Sequence, residues 1–182
     1  MFRRFRNPAF RPNPLPPGQM QALNQANRLL ASGQPGQAAP LFAGLAGELE
    51  AGNHPRRAAN LHAQAAHAYA DSQDGPTALV QARAALNLFL QNNMARRTPV
   101  FYANITRKLN NKGMKDAAET LSKEFGARIG QLPAPAAPPA VHHGTLPTNC
   151  TKCGAPVHAD DASWVDEQTV ECDYCGTLIR AE

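Results

Sequence analysis

The amino-acid sequence predicts a mainly α protein, a solenoid of helical hairpins followed by a small β module. Three observations predict this fold class. Apolar residues recur at helical spacing through residues 18–130, which turn residues divide into about six helices. The helix pairs return about every 34 to 40 residues, which is typical of a helical solenoid. All four cysteines stand near the C-terminus, as two Cys-x-x-Cys pairs at 150–153 and 172–175.

Turn residues place each predicted helix. Proline suits the first turn of a helix, where its missing N–H costs nothing, and glycine suits the end. The segments between these residues carry apolar side chains on one face, such as Leu23, Ala26 and Leu30 in the first helix. In order, the helices begin at Gly18, Pro35 and Pro55, after the break Asp74-Gly75-Pro76, at Arg97 and at Met114, and further breaks stand at Ser32-Gly33, Gly52-Asn53 and Lys112-Gly113.

Two proline-rich segments flank the helical region. Residues 1–17 contain five prolines and four arginines, so we expect a disordered basic arm. Residues 131–148 contain five more prolines and no Lys, Arg, Asp or Glu, which is typical of a flexible linker that spans up to about 55 Å. These segments leave a helical array at 18–130 and a metal module at 149–182.

The composition limits the class of protein. A chain of 182 residues has room for one or two domains, and its 43% hydrophobic content includes only 6% aromatic residues, which favours closely packed helices. No apolar run approaches the roughly 18 residues of a membrane-spanning helix. No apolar stretch follows the N-terminal arginines as it does in a secretory signal. We therefore expect a cytoplasmic protein without a membrane partner.

The helical array resembles a tetratricopeptide repeat array. Ala26, Gly33, Ala38 and Phe42 follow the family's order of a small residue, a turn glycine, an alanine and a large apolar residue. The later pairs match less closely, and no tryptophan stands at the family's first signature position. Their matching residues are Ala66, Tyr69, Ala78 and Ala82 in the second pair, and Gly113 with Ala117 or Ala118 in the third. An unrelated six-helix bundle is the alternative.

The cysteine pairs have the spacing of a metal site. Cys150 with Cys153, and Cys172 with Cys175, each precede a glycine that allows a left-handed turn directing two sulfurs at one ion. Two such turns supply the tetrahedral four-sulfur shell of structural Zn²⁺. Iron in the same shell is the chemical alternative. Because the shell has no open position, we expect a structural role for one Zn²⁺ ion.

The segment around the cysteines, residues 149–180, is similar to the zinc ribbon family. Residues 155–157, 163–171 and 177–179 are the predicted short strands. A module of about 33 residues buries too little surface to fold alone, so we expect it to need its metal.

Charge is distributed unevenly along the chain. Residues 1–16 carry four Arg and no acid, a charge of +4; residues 17–148 carry twelve basic and seven acidic residues, a charge of +5. Residues 149–182 carry two basic and seven acidic residues, a charge of −5, which zinc with four thiolates makes about −7. Such a module repels phosphates. It can instead fold back on the basic array, which we state as a hypothesis.

The remaining residues give no sign of catalysis. There is no phosphate-binding loop, nucleophile elbow or suitably spaced carboxylate pair, so we do not expect an enzyme. His62 and His67 are separated by five positions, which is not the spacing of a metal pair on one helix face. The pair His142-His143 lies in the linker, and His158 follows a cysteine shell that is already complete.

These features predict a protein–protein interaction adaptor or scaffold. Tetratricopeptide arrays bind partners in a groove lined by the first helix of each pair, and the resemblance places Asn27, Asn60, His67 and Arg107 there. Amide and basic side chains suit an acidic or C-terminal peptide. Three repeats are near the lower limit for a stable array, which makes self-association plausible.

Two other functions stay open at this point. One is a nucleic-acid-associated or transcription-related factor that uses the ribbon and the arm residues Arg3-Arg4-Phe5-Arg6. The other is a thiol- or metal-responsive regulator that uses the cysteines.

Overall fold

The computed structural model describes residues 13–132, 144–157 and 162–182. These residues form a mainly helical fold of six packed helices with a small three-stranded sheet, which confirms the predicted class at this level. The elements are α1 (Pro17–Ala31), α2 (Pro35–Ala51), α3 (Pro55–Asp71), α4 (Gly75–Gln91), α5 (Arg97–Asn111), α6 (Lys115–Gly130), β1 (Ser163–Trp164), β2 (Thr169–Glu171) and β3 (Leu178–Arg180). Most of the predicted arm and linker lies outside the described residues, as do His142, His143 and His158.

The same turn closes each of the first five helices. After each helix one residue adopts a positive φ, and the next residue donates its backbone N–H to a carbonyl five positions earlier, as Gln34 does to Leu29. This arrangement is the Schellman motif, which satisfies carbonyls left without partners at a helix end. The positive-φ residues are Gly33, Asn53, Gln73, Asn93 and Gly113.

Those turn residues are evenly spaced along the chain. Positions 33, 53, 73, 93 and 113 recur at one constant interval, so each helix with its turn takes the same length of chain and each hairpin takes two such lengths. Small buried side chains follow the same interval near the start of successive helices: Ala38, Ala58, Ala78, Thr98 and Ala118. A tetratricopeptide repeat occupies about 34 residues. The hairpin of this chain, which returns from position 33 to position 73, is therefore longer than the repeat it resembles.

The core of the array is built from alanine and a few large side chains. Buried alanines on α2, α3 and α4 let these helices approach closely, because the side chain adds little beyond the backbone. Phe42, Leu61 and Phe89 fill the larger spaces, and Phe89 meets Phe101 edge to face at 5.6 Å between ring centroids. Consecutive helices contact one another, α3 also contacts α5, and α4 also contacts α6.

The C-terminal strands form an antiparallel sheet in the order β1-β2-β3. The prediction of one continuous strand over 163–171 is wrong, because the backbone turns at 165–168, where Val165 N–H donates to the Thr169 carbonyl. The predicted strand at 155–157 contributes only an isolated bridge between Asn149 and Pro156. The predicted strand at 177–179 is present one residue later, as β3.

Residues 13–16, which the sequence assigns to the flexible arm, have defined contacts. Leu15 is only 6% exposed, and its backbone N–H donates to the carbonyl of Cys175 at 3.0 Å. Proline fixes the backbone around Leu15, so this segment loses little conformational freedom when it packs. Within the described ranges, no helix combines the length and the apolar character needed to cross a membrane.

Candidate metal centre

Two similar turns hold the four cysteines. In the first, Gly154 N–H donates to the Cys150 carbonyl at 2.8 Å; in the second, Gly176 N–H donates to the Cys172 carbonyl at 2.9 Å. Both glycines have a positive φ, +75° and +73°, which a residue with a side chain adopts only with strain. The bridge between Asn149 and Pro156 flanks the first turn, and the paired strands β2 and β3 flank the second. All four cysteines predicted as ligands are thereby brought together.

The sulfur atoms have the geometry of a four-coordinate site. All four Sγ atoms lie within 4.8 Å of one another, with Cys150 and Cys175 separated by 3.8 Å and Cys153 and Cys172 by 3.7 Å. A tetrahedron with metal–sulfur bonds of about 2.3 Å has edges of about 3.8 Å. The four side chains are buried free thiols. The site therefore fits a single metal ion with no place for a further ligand.

The four thiols affect one another strongly. Hydrogen bonds from Cys153 and the other two cysteines hold the pKa of Cys150 far below its ordinary value, and the same contacts with Cys150 raise the pKa of Cys153. At Cys175 the raising effect of Cys150 is outweighed by Cys153 and Cys172, which leaves the pKa at about 7. Four thiolates this close together would repel one another and need a compensating positive charge. A divalent metal supplies that charge when bound.

The first cysteine turn contacts helix α1. Asn27 donates its side-chain amide to the carbonyl of Cys153 at 2.6 Å. The backbone of Gly154 lies beside the same side chain, so that a Cβ added at Gly154 would stand 3.6 Å from Asn27 Cβ. This amide therefore contacts the backbone of the first cysteine turn, through a hydrogen bond that does not involve the cysteine side chain.

The second cysteine turn contacts α3 and α5. Asn60 donates its amide to the Asp173 carbonyl at 3.1 Å, and Arg97 donates to the Asp173 carboxylate at 2.7 Å. Arg97 also donates to the side-chain oxygen of Asn60 at 2.6 Å, so the two residues hold each other in place. Gln64 donates to the hydroxyl of Tyr174 at 3.1 Å. The two helices thus contact both residues that lie between the cysteines of the second pair.

A further arginine fixes the edge of the contact. Arg57 forms an ion pair with Glu171 at 2.5 Å and donates to the Asn13 carbonyl at 2.6 Å. Both side chains of the pair are largely covered, with 12% and 22% of their surface exposed. Charge pairs removed from water in this way are stronger than surface pairs. The C-terminal segment, residues 144–157 and 162–182, which we call the cysteine module, is therefore docked on the helices.

The surface that receives the cysteine module is formed by α1, α3 and α5, and we call it the odd-helix face. Two of the four residues predicted to bind a partner, Asn27 and Asn60, lie on this face in contact with the cysteine module. The other two, His67 and Arg107, line a cavity of about 650 Å³ on the same helices. The structure therefore places all four on one face but divides them between two sites.

The cavity is rich in cations and amides. Its polar lining residues are Gln64, His67, Asp71, Asn104, Arg107, Lys108, Asn111 and Lys112. Lys108 pairs with Asp71 at 2.6 Å and Lys112 lies 3.7 Å from it, whereas Arg107 donates to the amide oxygen of Asn104. Asp71 is the single carboxylate among these lining residues, against three permanent cations. The cavity therefore carries a net positive charge.

His67 is a cavity-lining residue with a buried ring nitrogen that makes no hydrogen bond to the described residues. Its Nδ1 is buried and has no hydrogen-bond partner among the described residues, and its ring stands edge-on to Phe101 at 5.4 Å. Burial lowers the pKa of His67 to about 4, with a smaller contribution from the charge of Lys108 that outweighs the opposite effect of Asp71. The imidazole is therefore neutral near pH 7.

Sequence reasoning missed the residues that dock the cysteine module: Arg57, Gln64, Arg97 and Tyr174. The constant hairpin interval is the signal that could have found the two arginines. That interval separates Arg57 from Arg97, and it also separates Asn27 from His67 and His67 from Arg107, so each set occupies one position of successive hairpins. The acidic residues beside Cys172 mark the complementary charges.

Comparison of the chain with protein family models, with curated proteins and with solved structures finds no match.

Proposed function

We propose that the protein is a protein–protein interaction adaptor or scaffold that carries one structural zinc ion and has no catalytic activity. The observation that supports this proposal is the cationic cavity on the odd-helix face. Arg107 is exposed at its rim, with Asn104 beside it, Lys108 farther along α5 and Lys112 just after the end of α5. Guanidinium and ammonium groups beside amides favour carboxylates, so the partner is an acidic segment or a C-terminal peptide.

The helical region acts in this proposal as a hairpin-repeat scaffold. Its constant turn interval and the contact of α3 with α5, and of α4 with α6, support a short solenoid. The length of the hairpin favours a helical-repeat array in the broad sense over the tetratricopeptide family itself. A protein that keeps four reduced thiols in place suits the cytoplasm.

The metal proposal is a single zinc ion in a zinc-ribbon-like module. Its ligands would be Cys150, Cys153, Cys172 and Cys175. Because four sulfurs leave no open coordination position, the ion would stabilise the fold and take no part in catalysis. Metal analysis of the purified protein tests this proposal. One zinc per chain and no visible absorption supports it, whereas one iron per chain with the strong colour of an iron–thiolate centre would replace zinc with iron.

Peptide binding tests the adaptor proposal. The probe is a fluorescent peptide of alternating Glu and Asp with a free C-terminal carboxylate, and a Gln/Asn peptide of the same length is the neutral control. We expect the zinc-loaded protein to bind the acidic peptide and not the neutral one. Arg107→Ala should weaken binding of the acidic peptide about tenfold, which corresponds to the loss of one charge-assisted hydrogen bond. Lys123→Ala removes one cation on α6, where Lys123 pairs with Glu119, and leaves binding unchanged.

Two results would overturn the adaptor proposal. One is equal affinity for the acidic and neutral peptides. The other is displacement of the acidic peptide by a single-stranded oligonucleotide of higher affinity with a steep salt dependence, which would favour the nucleic-acid alternative.

A further inference from the structure

We propose that the cysteine module is a metal-dependent occupant of the odd-helix face. When the four cysteines bind metal, the module covers Asn27, Arg57, Asn60 and Arg97, and when the metal is lost, these residues are freed for an acidic segment of another protein. The inference rests on the proposed function of this face as an acidic-peptide site. The inference adds a second binding surface, which the cysteine module covers, and names metal loss as the event that exposes this surface.

The contacts depend on the shape of the metal-binding turns. The amides of Asn27 and Asn60 each bind a backbone carbonyl within a Cys-x-x-Cys turn, at Cys153 and Asp173. Those carbonyls point outward because the sulfurs point inward at a common centre. A turn that loses its metal loses the restraint that orients both groups. Docking on the odd-helix face and metal binding therefore both require the same conformation of the cysteine turns.

The cysteine module has little else to keep it folded. Its strands contain two or three residues each. Val170 and Ile179 are its main buried aliphatic side chains, and they face the same small core as the cysteines. A core of this size does not offset the conformational entropy of about 35 residues. Metal loss is therefore expected to unfold the module and end its docking.

Charge determines what can replace the module. Arg57 and Arg97 pair with Glu171 and Asp173, and the side chains of both arginines are only 12% and 13% exposed while the module is in place. Undocking would uncover two guanidinium groups flanked by the amides of Asn27 and Asn60. These donors already accommodate an acidic turn in this chain. An acidic segment of a partner offers the same carboxylates and backbone carbonyls.

Linkage makes the proposal measurable from the metal side. If metal binding strengthens docking, then docking must strengthen metal binding by the same factor. Zn²⁺ affinity is measured on the full chain by competition with a chromophoric chelator. We expect about tenfold weaker binding for Arg97→Ala and a few-fold weaker binding for Asn27→Ala, although neither residue touches a sulfur. Arg107→Ala, on the same face but away from the cysteine module, keeps the wild-type affinity.

Circular dichroism of each variant shows whether the helices are still folded. If Arg97→Ala is unfolded, the test relies on Asn27→Ala, an uncharged substitution on a different helix. Wild-type Zn²⁺ affinity in folded Arg97→Ala and Asn27→Ala would overturn the proposal. So would an affinity loss of the same size in Arg107→Ala.

The second test uses the acidic peptide from the partner side. Titration of the full chain with and without Zn²⁺, under reducing conditions, is expected to show one further binding event in the metal-free protein. Arg107→Ala should remove the event seen with zinc and leave this further event in place, whereas Arg97→Ala should weaken the further event. If acidic peptide fails to bind the zinc-loaded protein but binds the metal-free one, the cavity proposal fails alone. If metal removal adds no binding, the occupant proposal fails alone.

Discussion

The side-chain amide of Asn27 donates a 2.6 Å hydrogen bond to the carbonyl oxygen of Cys153, 126 residues farther along the chain. The bond joins the first helix to the first of the two cysteine turns. With Arg57 and Arg97 it makes the helical array and the cysteine module one structural unit, although a proline-rich segment separates them in the sequence. Changes on one side of this contact should therefore be measurable on the other, and the following predictions test the fold that supports it.

Substitution of the two turn glycines should separate backbone strain from docking. Gly154→Ala and Gly176→Ala both place a side chain at a positive φ, which costs about 1–2 kcal/mol. At Gly176 the added Cβ would also collide with the Arg57 guanidinium and approach the Asn13 carbonyl to 2.6 Å, whereas at Gly154 it meets only an ordinary contact. Denaturant unfolding with saturating Zn²⁺ should show the larger loss of stability for Gly176→Ala. Equal losses would mean that the Arg57 contact adds nothing to stability.

Truncation of Phe42 should strongly destabilise the array. Phe42 is fully buried on α2, and Phe42→Ala removes a ring that the neighbouring alanines cannot replace. We expect a loss of about 3–5 kcal/mol in the free energy of unfolding, measured by helical circular dichroism in urea. Val80→Ala is the matched control, because Val80 is 56% exposed and should change stability by less than about 0.5 kcal/mol. Similar values for the two variants would contradict the packing described for α2.

The stability of the protein should depend on His67 in mildly acidic solution. The pKa of His67 is lowered to about 4 in the folded chain, below its ordinary value of 6.5, so the unfolded chain binds the proton first as pH falls. Its contribution is therefore full above about pH 6.5 and is lost towards pH 4, a change of about 1–3 kcal/mol.

His67→Phe keeps an aromatic ring beside Phe101 and removes this titration. Unfolding free energies from pH 7 to pH 4.5 should consequently fall less steeply for the variant than for the wild type. Metal release on acidification affects both proteins, so the difference between the two curves reports His67. Parallel curves would show that this histidine has an ordinary pKa.

The N-terminus of α4 should be the most sensitive to capping changes. Asp74 accepts a 3.1 Å hydrogen bond from the backbone N–H of Thr77, and the other five helices of the described chain have no side-chain cap of this kind. Asp74→Ala should reduce the free energy of unfolding by about 1 kcal/mol. Thermal unfolding of both variants measures this effect. Gln34→Ala, at the corresponding uncapped position before α2, should lower the stability much less than Asp74→Ala does.

The helices could be placed from sequence because proline and glycine mark their ends. Pro35 and Pro55 stand in the first turns of their helices, as predicted from the missing N–H of proline, and Pro17, which the prediction assigned to the arm, is the first residue of α1. The constant interval between turns was harder to detect. Asn53, Gln73 and Asn93 take the left-handed conformation that glycine takes at Gly33, and residue type alone does not reveal that conformation.

The four cysteines of the candidate site were also evident from sequence, because their spacing is set by the local turn. The short strands were less evident, since two or three residues are too few for a periodic pattern, and the hairpin at 165–168 went undetected. The docking contacts were inaccessible for a different reason. Arg57 and Glu171 are 114 residues apart, and only the folded helices bring them together. The charge distribution predicted attraction between the acidic module and the basic array, but it could not predict which residues pair.

The backbone bond between Leu15 and Cys175 has a consequence for how the protein is made. Translation proceeds at about 5–20 residues per second, so the segment from Gly130 to Cys172 takes roughly 2–8 s to synthesise. The helices can fold during this interval, but residues 13–16 and the odd-helix face must wait for the second cysteine pair. Each newly made chain therefore passes through a brief period with its basic face open, and a metal ion could be enclosed by all four cysteines only at the end of that period.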